Sequence, residues 1–268
     1  MVIKVGGGEG IDLGPIAAEF AELVKAGTRA VLVHGGSHET NVVAEALGHP
    51  PRFITSPSGH ESRRTDRRTI EIFEMVYCGK VNKGLVESLR RHGINAVGLS
   101  GIDSGIWTGE RKTAIRAVED GRTVIIRDDL SGKVTGVDAD FLSMLLDSGR
   151  IPVLCPPAVT DDGTAINVDA DRAAAATAAA LNADELLLLS NVPGVLADPS
   201  DRSSLIAHAT DPDQIRAAAK GRMKNKVLAA EEAIAGGVAR VTIGSANGDN
   251  PIAAARAGAG TRFEAATA

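Results

Sequence analysis

The sequence predicts an α/β protein, a three-layer α/β/α sandwich over a mainly parallel open sheet. Three observations carry this. Short aliphatic runs bounded by turn residues alternate with longer stretches of helical periodicity along the chain. Hydrophobic residues fill 44% of the 268 positions but aromatics only 3%, so the core is aliphatic, as around buried parallel strands. Glycine pairs follow two of the apolar runs, where backbone can turn tightly or approach a ligand.

The first apolar strand lies in the opening Met1-Val-Ile-Lys4-Val, contains Lys4 and runs into Gly6-Gly7-Gly8. Asp12 to Ala26 reads as a helix: Ile16, Phe20, Leu23 and Val24 share a face, and Gly27 supplies the stop. Ala30–Val33 is the second strand and leads to His34-Gly35-Gly36. Ser37 is placed to cap the next helix, which runs to Leu47 and ends at Gly48. Thr69 to Arg91 is the longest helical stretch. Further strands are expected at Ile94–Leu99, Ile151–Cys155, Leu186–Leu189 and Arg240–Ile243, with a hairpin over Thr123–Asp138 centred on Ser131-Gly132. Ala170 to Asn182 is an alanine-rich helix suited to close packing. With no internal repeat and no long linker, residues 1–268 read as a single domain.

A net charge of −5 and a pI near 5.7 argue against a general nucleic-acid or anionic-membrane surface. The start carries no signal-peptide pattern and no apolar run approaches 18 residues, so a cytoplasmic protein is expected. Cys78 and Cys155 are isolated in sequence and expected as buried reduced thiols; the six histidines lack metal-ligand spacing, and no protein-held metal is expected.

Ligands of such sheets bind beyond the carboxyl ends of the strands. That places Lys4, Gly6–Gly8, Gly35–Gly36, Ser100–Gly101, Pro156–Pro157 and Ser190–Asn191 along one edge. A lysine beside glycine turns suits phosphate. Neither glycine run continues into a Walker A loop, and the third glycine of a dinucleotide fingerprint falls on Ile11 or Leu13. By itself Lys4 is also compatible with an edge-strand lysine snorkelling to solvent, and Asp171 with a plain cap on a helix starting at Ala173.

Six motifs occur in order: V-x-K-V-G-G at the start, H-G-G at His34, R-x-T-D at Arg63, N-x-x-x-D at Asn167, L-S-N-V-P-G-V at Leu189 and G-x-M-x-x-K at Gly221. On these the chain resembles the amino acid kinase family, in its N-acetylglutamate kinase-like branch, over about residues 1–263. The resemblance implies a carbamate kinase-like fold and ATP-dependent phosphorylation of a side-chain carboxylate, with Mg2+ carried by the nucleotide. It implies Lys4 and Lys226 as the two transition-state lysines, with Asp171 holding them in place. Gly35, Gly36, Arg63 and Asn167 match acceptor-binding positions; Gly6, Gly7, Ser190, Asn191, Gly194, Gly221, Met223 and Lys224 fall on the nucleotide side. About residues 1–165 would form an acceptor-binding and dimerisation lobe, and about 166–263 an ATP-binding lobe. The chemistry agrees: a carboxylate with a pKa of roughly 4 is already ionised, so it needs no general base, and cations supply most of the catalysis.

Departures from the branch refine the acceptor. Ser37-His38-Glu39-Thr40-Asn41 follows H-G-G where glycine and proline are usual, and Gly48–Phe53, Thr55–Pro57, Glu71–Tyr77 and Met223-Lys224 are similar instead to LysW-aminoadipate and LysW-glutamate kinases. So are Ile243–Ser245 and Asp249–Ile252. That likeness implies an acceptor joined through its α-amino group to a small acidic amino-group carrier protein, and a homodimeric enzyme. Arg64, Arg67 and Arg68 beside Arg63, and Arg111-Lys112 with Arg116, are the candidate carrier-docking clusters; a solvated basic rim is the plainer reading of each. A kinase of free N-acetylglutamate and a non-catalytic ligand sensor are the competing functions.

Overall fold

Seven strands build the central sheet of the computed structural model, which describes residues 1–57, 59, 61–119 and 122–265. In chain order they are β1 (Val2–Val5), β2 (Val31–His34), β3 (Ala96–Ser100), β4 (Ile151–Cys155), β5 (Glu185–Ser190), β6 (Arg240–Ser245) and β7 (Thr261–Glu264). Their spatial order is β7-β6-β5-β1-β2-β4-β3, and only β7 runs antiparallel. β1 is therefore the middle strand, which removes the edge-strand reading of Lys4. The order of the chain reverses on either side of β1, and such a switch point opens a crevice at the carboxyl ends.

Alternation along the strands sends Ile3, Val5, Leu187 and Leu189 to one face, against α1 (Leu13–Lys25) and the helix Asn82–Arg91. Val2, Leu186, Leu188 and Ile243 face the other way, against the helices Ala170–Ala180 and Met223–Ala235. Lys4 shares parity with Val2 and so points into this second layer. The predicted α/β/α sandwich is the observed one.

Local chemistry explains most element ends. Asp12 caps α1 through a 2.8 Å bond from Gly14 N, and Asp66 caps the helix Arg67–Phe73 by accepting from Thr69 N at 2.8 Å. Four expectations are corrected. The long helix covers residues 67–91, but its middle, Glu74–Val81, is π-helical. Ser37 does not cap the helix Ser37–Ala46: Gly36 is its N-cap, and the Ser37 hydroxyl donates to Gly7 O at 3.0 Å instead. The hairpin over Thr123–Asp138 does not form. Arg122–Ile126 pairs back with Ile115–Glu119, while Gly132–Val137 pairs with Trp107–Arg111. The turn is displaced because the Asp129 carboxylate takes Thr65 N at 2.8 Å and Ser131 N at 2.7 Å, and Gly132 N donates to Asn167 O, tying this stretch to the sheet edge. Finally, of the two cysteines expected to be buried, Cys155 is buried but Cys78 only half-buried; both are free, with their sulfurs 4.0 Å apart. Of the six histidines, His60 lies outside the described residues.

Candidate active site

The two glycine turns at the ends of β1 and β2 press against each other. A Cβ on Gly7 would sit 2.0 Å from Gly36 N and 2.4 Å from Gly35 C, and one on Gly35 would sit 2.8 Å from Gly7 N. Glycine is required there by the contact itself. Ser37 Oγ and His38 N both donate to Gly7 O, at 3.0 and 2.8 Å, so the helix Ser37–Ala46 begins on the seam. Its N-cap residue Gly36 offers no side-chain cap, and of the first-turn N–H groups, which have no acceptor within the helix, His38 N is taken by Gly7 O.

Beneath the seam lie two lysines and one carboxylate. Lys4 Nζ is 2.6 Å from Asp171 Oδ1, and Lys226 Nζ is 2.7 Å from Asp171 Oδ2. Lys4 and Asp171 are only 5% and 6% exposed, so these are desolvated charges. Burial alone would raise the Asp171 pKa, but attraction and hydrogen bonding from Lys226 and Lys4 outweigh it and hold the carboxyl well below its ordinary range. Burial, with the like charge of Lys226, lowers the Lys4 pKa, and Asp171 opposes that fall. The carboxylate is what keeps two cations side by side.

Sequence reading of Asp171 as a cap on a helix from Ala173 is corrected. The helix is Ala170–Ala180 and Asp169 caps it, accepting from Asp171 N at 2.9 Å and Arg172 N at 3.1 Å. That places Asp171 in the first turn with its side chain turned toward β1. Asp169 Oδ2 also accepts from Asn225 Nδ2 at 2.8 Å, and Arg172 pairs with Glu232 at 2.8 and 2.6 Å. Two ties thus lock the Asp171 helix to the Lys226 helix.

His34 serves the turn. Asn82 Nδ2 donates to Val153 O and lies 3.0 Å from His34 Nε2, so Nε2 accepts and Nδ1–H donates to Gly35 O at 2.9 Å. Burial, helped by the charges of Lys4 and Lys83, depresses the His34 pKa to about 4 against the opposing Gly35 bond. The ring is neutral at pH 7, consistent with the turn-supporting role.

Arg63 sits across the seam. Its guanidinium lies 5.1 Å from the Phe53 ring centroid and 5.6 Å from that of Phe73, and it donates to Asn41 Oδ1. Asn167 Nδ2 donates to Thr65 Oγ1 at 3.1 Å, joining the R-x-T-D stretch to the start of the Asp171 helix. Tyr77, stacked on Phe73 at 4.8 Å, packs so closely on Gly36 that a Cβ there would lie 3.1 Å from its ring.

On the other flank, Ser190 ends β5 with a buried Oγ that has no hydrogen-bond partner among the described residues, an orphan consistent with a ligand contact. Asn191 stands beside Gly8. Gly221, at φ +50°, precedes the Lys226 helix; Lys224 there is exposed, while Met223 packs against the core. Gly194 is held by packing: a Cβ would meet Leu205 Cδ1 at 2.7 Å and Thr261 Oγ1 at 2.8 Å. The structure therefore gathers Lys4, Gly6, Gly7, Gly35, Gly36, Asp171, Ser190, Asn191 and Lys226 tightly, with Arg63 and Asn167 on one flank and Gly221 on the other.

Of the basic candidates, Arg64 is mostly buried and paired with Asp128 at 2.7 Å, and Arg111 Nε donates to Asp129 O at 2.8 Å. Arg67 and Arg68 each lie 3.3 Å from Glu71. The sequence reading assigned no role to Asp169, Asn225, Asn41, Phe53 or Asn82. Asp169 alone had a signal, a carboxylate at an N-cap spacing ahead of an alanine run; the others act across long sequence separations. Among the described residues, no helix is long and apolar enough to cross a membrane, and no group of three or more His, Cys, Asp or Glu side chains is placed to hold a metal.

The model of the amino acid kinase family matches residues 1–245. A protein of Deinococcus radiodurans named [LysW]-aminoadipate kinase is 57% identical, over 97% of this chain and 90% of its own. One of that name from Thermus thermophilus is 51% identical, over 97% and 98%. An acetylglutamate kinase of Methanopyrus kandleri is 40% identical, over 92% and 95%. Two solved structures share the fold. The N-acetylglutamate synthase of Neisseria gonorrhoeae superposes with a TM-score of 0.78 at 24% identity; this chain is covered completely but spans 59% of that one. The carbamate kinase of Giardia lamblia superposes with a TM-score of 0.66 at 18% identity, covering 98% of both chains.

Proposed function

The chain belongs to the amino acid kinase family, and from that premise we propose that it transfers the terminal phosphoryl group of ATP to the side-chain carboxylate of an acidic amino acid. We infer that this amino acid, 2-aminoadipate or glutamate, is carried through its α-amino group on a LysW-type carrier protein. The names of the more similar relatives support the carrier. One observation supports the chemistry above all others: a single buried carboxylate, Asp171, clamps Lys4 and Lys226 at 2.6 and 2.7 Å.

A carboxylate oxygen of the acceptor forms a bond to the γ-phosphorus while the bond to the departing ADP oxygen breaks, giving an acyl phosphate and ADP. Charge accumulates on the oxygens of the moving phosphoryl group. Lys4 and Lys226, held close by Asp171, sit where they can meet it, and the N–H groups around Gly7 and Gly36 add dipoles at no reorganisation cost. Arg63 offers a planar fork for the α-carboxylate of the acceptor, with Gly35, Gly36 and Asn167 on the same side. Gly6, Ser190, Asn191, Gly194, Gly221, Met223 and Lys224 belong to the nucleotide side. The donor set fits a triphosphate: cations, glycine N–H groups and the orphan Ser190 hydroxyl. Mg2+ bound to ATP neutralises phosphate charge and keeps several waters, so it asks for few protein ligands.

On this reading about residues 1–165 bind the acceptor and dimerise, and about 166–263 bind ATP, in a cytoplasmic homodimer serving amino-acid biosynthesis. The test traps acyl phosphate with hydroxylamine, offering LysW-linked 2-aminoadipate, LysW-linked glutamate and free N-acetylglutamate in parallel with ATP. Hydroxamate from a LysW conjugate is the expected result. Product from free N-acetylglutamate alone would favour the second reading, to which the Methanopyrus relative points. No product from any acceptor would leave a ligand sensor.

A further inference from the structure

The carboxyl edge of the sheet holds one group of residues that phosphoryl transfer leaves unused. Cys155 ends β4 and Ser100 ends the neighbouring β3, where the Ser100 hydroxyl donates to Asp103 Oδ2 at 2.8 Å. Cys78 meets them from the π-helical segment Glu74–Val81. Its sulfur lies 4.0 Å from that of Cys155 and 3.8 Å from Pro156 O, although 77 positions separate the two cysteines in the chain. A disulfide needs its sulfurs about 2 Å apart, so closing the pair asks for a shift of roughly 2 Å.

The two thiols are unequal. Cys155 is fully buried and Cys78 half-buried. The Cys155 S–H donates to Cys78, and with the Ser100 hydroxyl this holds the Cys78 thiol below its ordinary range against its own burial. The same contact, together with burial, pushes the Cys155 thiol up. Ionisation therefore favours the sulfur nearer solvent, and the thiolate is the reactive form. A reactive sulfur with a second thiol at its side is the arrangement that turns oxidation into a disulfide rather than a terminal acid.

The attachments of the pair give its oxidation a consequence. Tyr77, the residue before Cys78, packs on Gly36 and shares one buried cluster with Phe73 and Cys155. Asn82 Nδ2 lies 3.9 Å from Cys155 Sγ and 3.0 Å from His34 Nε2. Both contacts lead to the turn His34-Gly35-Gly36. The π-helical winding is confined to the stretch that carries Tyr77 and Cys78, and such departures from the α-helix collect at functional sites.

We propose that Cys78 and Cys155 form a modification site, which a peroxide converts to an intramolecular disulfide that weakens acceptor binding and which a thiol reductant restores. The Cys78 thiolate attacks one oxygen of hydrogen peroxide, the O–O bond breaks, and a Cys78 sulfenic acid and hydroxide form. The hydroxide takes up the proton that Cys78 had released. The Cys155 sulfur then attacks the Cys78 sulfur; the S–S bond forms, the S–O bond breaks, and the hydroxyl leaves as water with the Cys155 proton. The two thiols lose two electrons, and one peroxide becomes two waters. Closure draws Cys78 toward β4 and takes Tyr77 with it, loosening the support under Gly36. In a reducing compartment such a bond is transient and signals rather than staples. The effect on the acceptor rests on the placing of Gly35 and Gly36 above; the disulfide itself does not.

The experiment treats the full-length enzyme with hydrogen peroxide, quenches with catalase, and measures KM for LysW bearing 2-aminoadipate and for ATP. Peptide mapping without reductant is expected to find Cys78 linked to Cys155, lighter by two hydrogen atoms. KM for the conjugate should rise roughly tenfold, KM for ATP should stay put, and dithiothreitol should reverse both the link and the rise. Cys78→Ser should keep the kinetics of the reduced enzyme and ignore peroxide. Cys155→Ser should stop at the Cys78 sulfenic acid and be labelled there by dimedone. Failure to find the linked peptide, with Cys78 running on to sulfinic acid, overturns the proposal. A linked enzyme with an unchanged KM for the conjugate, or with an equal rise in KM for ATP, overturns it too. So does inhibition that persists in Cys78→Ser, which would place the damage at exposed Met75 or Met144. If the reduced enzyme turns over free N-acetylglutamate alone, the carrier reading fails, and the same comparison run with that acceptor still decides the switch.

Discussion

Asn225 donates to Asp169 Oδ2 at 2.8 Å, one residue before Lys226 reaches Asp171. The cap of one helix is thus bonded to the first turn of the other, and each partner neighbours a group of the lysine–carboxylate cluster. Asn225 is a positioning residue. Asn225→Ala should lower kcat by about tenfold while leaving KM for ATP nearly unchanged, because misplacement is felt most in the transition state. Asn225→Asp, unable to donate and facing another carboxylate, should be worse; steady-state kinetics on both variants checks this.

Lys4→Ala and Lys226→Ala should each lower turnover on the order of 10²-fold or more. Circular dichroism should show the fold intact, since either deletion leaves Asp171 paired with the remaining lysine. Asp171→Ala differs in kind. It strands two cations beside each other, Lys4 almost fully buried, so urea unfolding should show a loss of about 3–5 kcal/mol unless Lys4 sheds its proton. Near-normal turnover in both lysine variants would sink the site assignment.

His34 makes stability depend on pH. Its folded pKa of about 4 lies below the ordinary 6.5, so the unfolded chain binds the proton first as pH falls. The stabilisation is complete above pH 6.5 and is lost progressively down to about pH 4, for a total of roughly 3 kcal/mol. Asp171, depressed below 3.8, adds its own loss only below that value. Thermal unfolding in steps from pH 7.5 to 4 should show this slope, and His34→Gln should flatten it above pH 4.

Gly7→Ala forces a methyl to within 2.0 Å of the Gly36 nitrogen, where backbone on both sides must yield. Gly8→Ala meets nothing nearer than Asn191 Nδ2 at 3.7 Å. Chemical denaturation should therefore show Gly7→Ala destabilised by about 1–3 kcal/mol and Gly8→Ala far less. Equal losses would mean that the two glycine turns do not touch as described.

The sheet was legible because its strands are short, aliphatic and closed by turns, and the helices because apolar spacing and N-caps such as Asp12 are local signals. The glycine turns, Lys4 and the six ordered motifs were legible for the same reason. What misled was local signal overruled by distant partners. Ser37 looked like a cap but donates to Gly7. Ser131-Gly132 looked like a turn but is drawn to Asn167 by the Asp129 carboxylate. The π-helical middle of the long helix has no mark in its apolar spacing, which suits either winding.

By itself the sequence determined the fold class and the family, and it named Lys4 and Lys226 as the groups proposed to meet a phosphate. Alternation and helical period are written residue by residue, and ordered motifs survive any uncertainty about packing. Only the tertiary structure decided which groups meet. It put one carboxylate between two lysines 222 positions apart in the chain, and it engaged Arg64, Arg67, Arg68 and Arg111. Ion pairing and burial depend on distances across the fold, which no local pattern of residues contains.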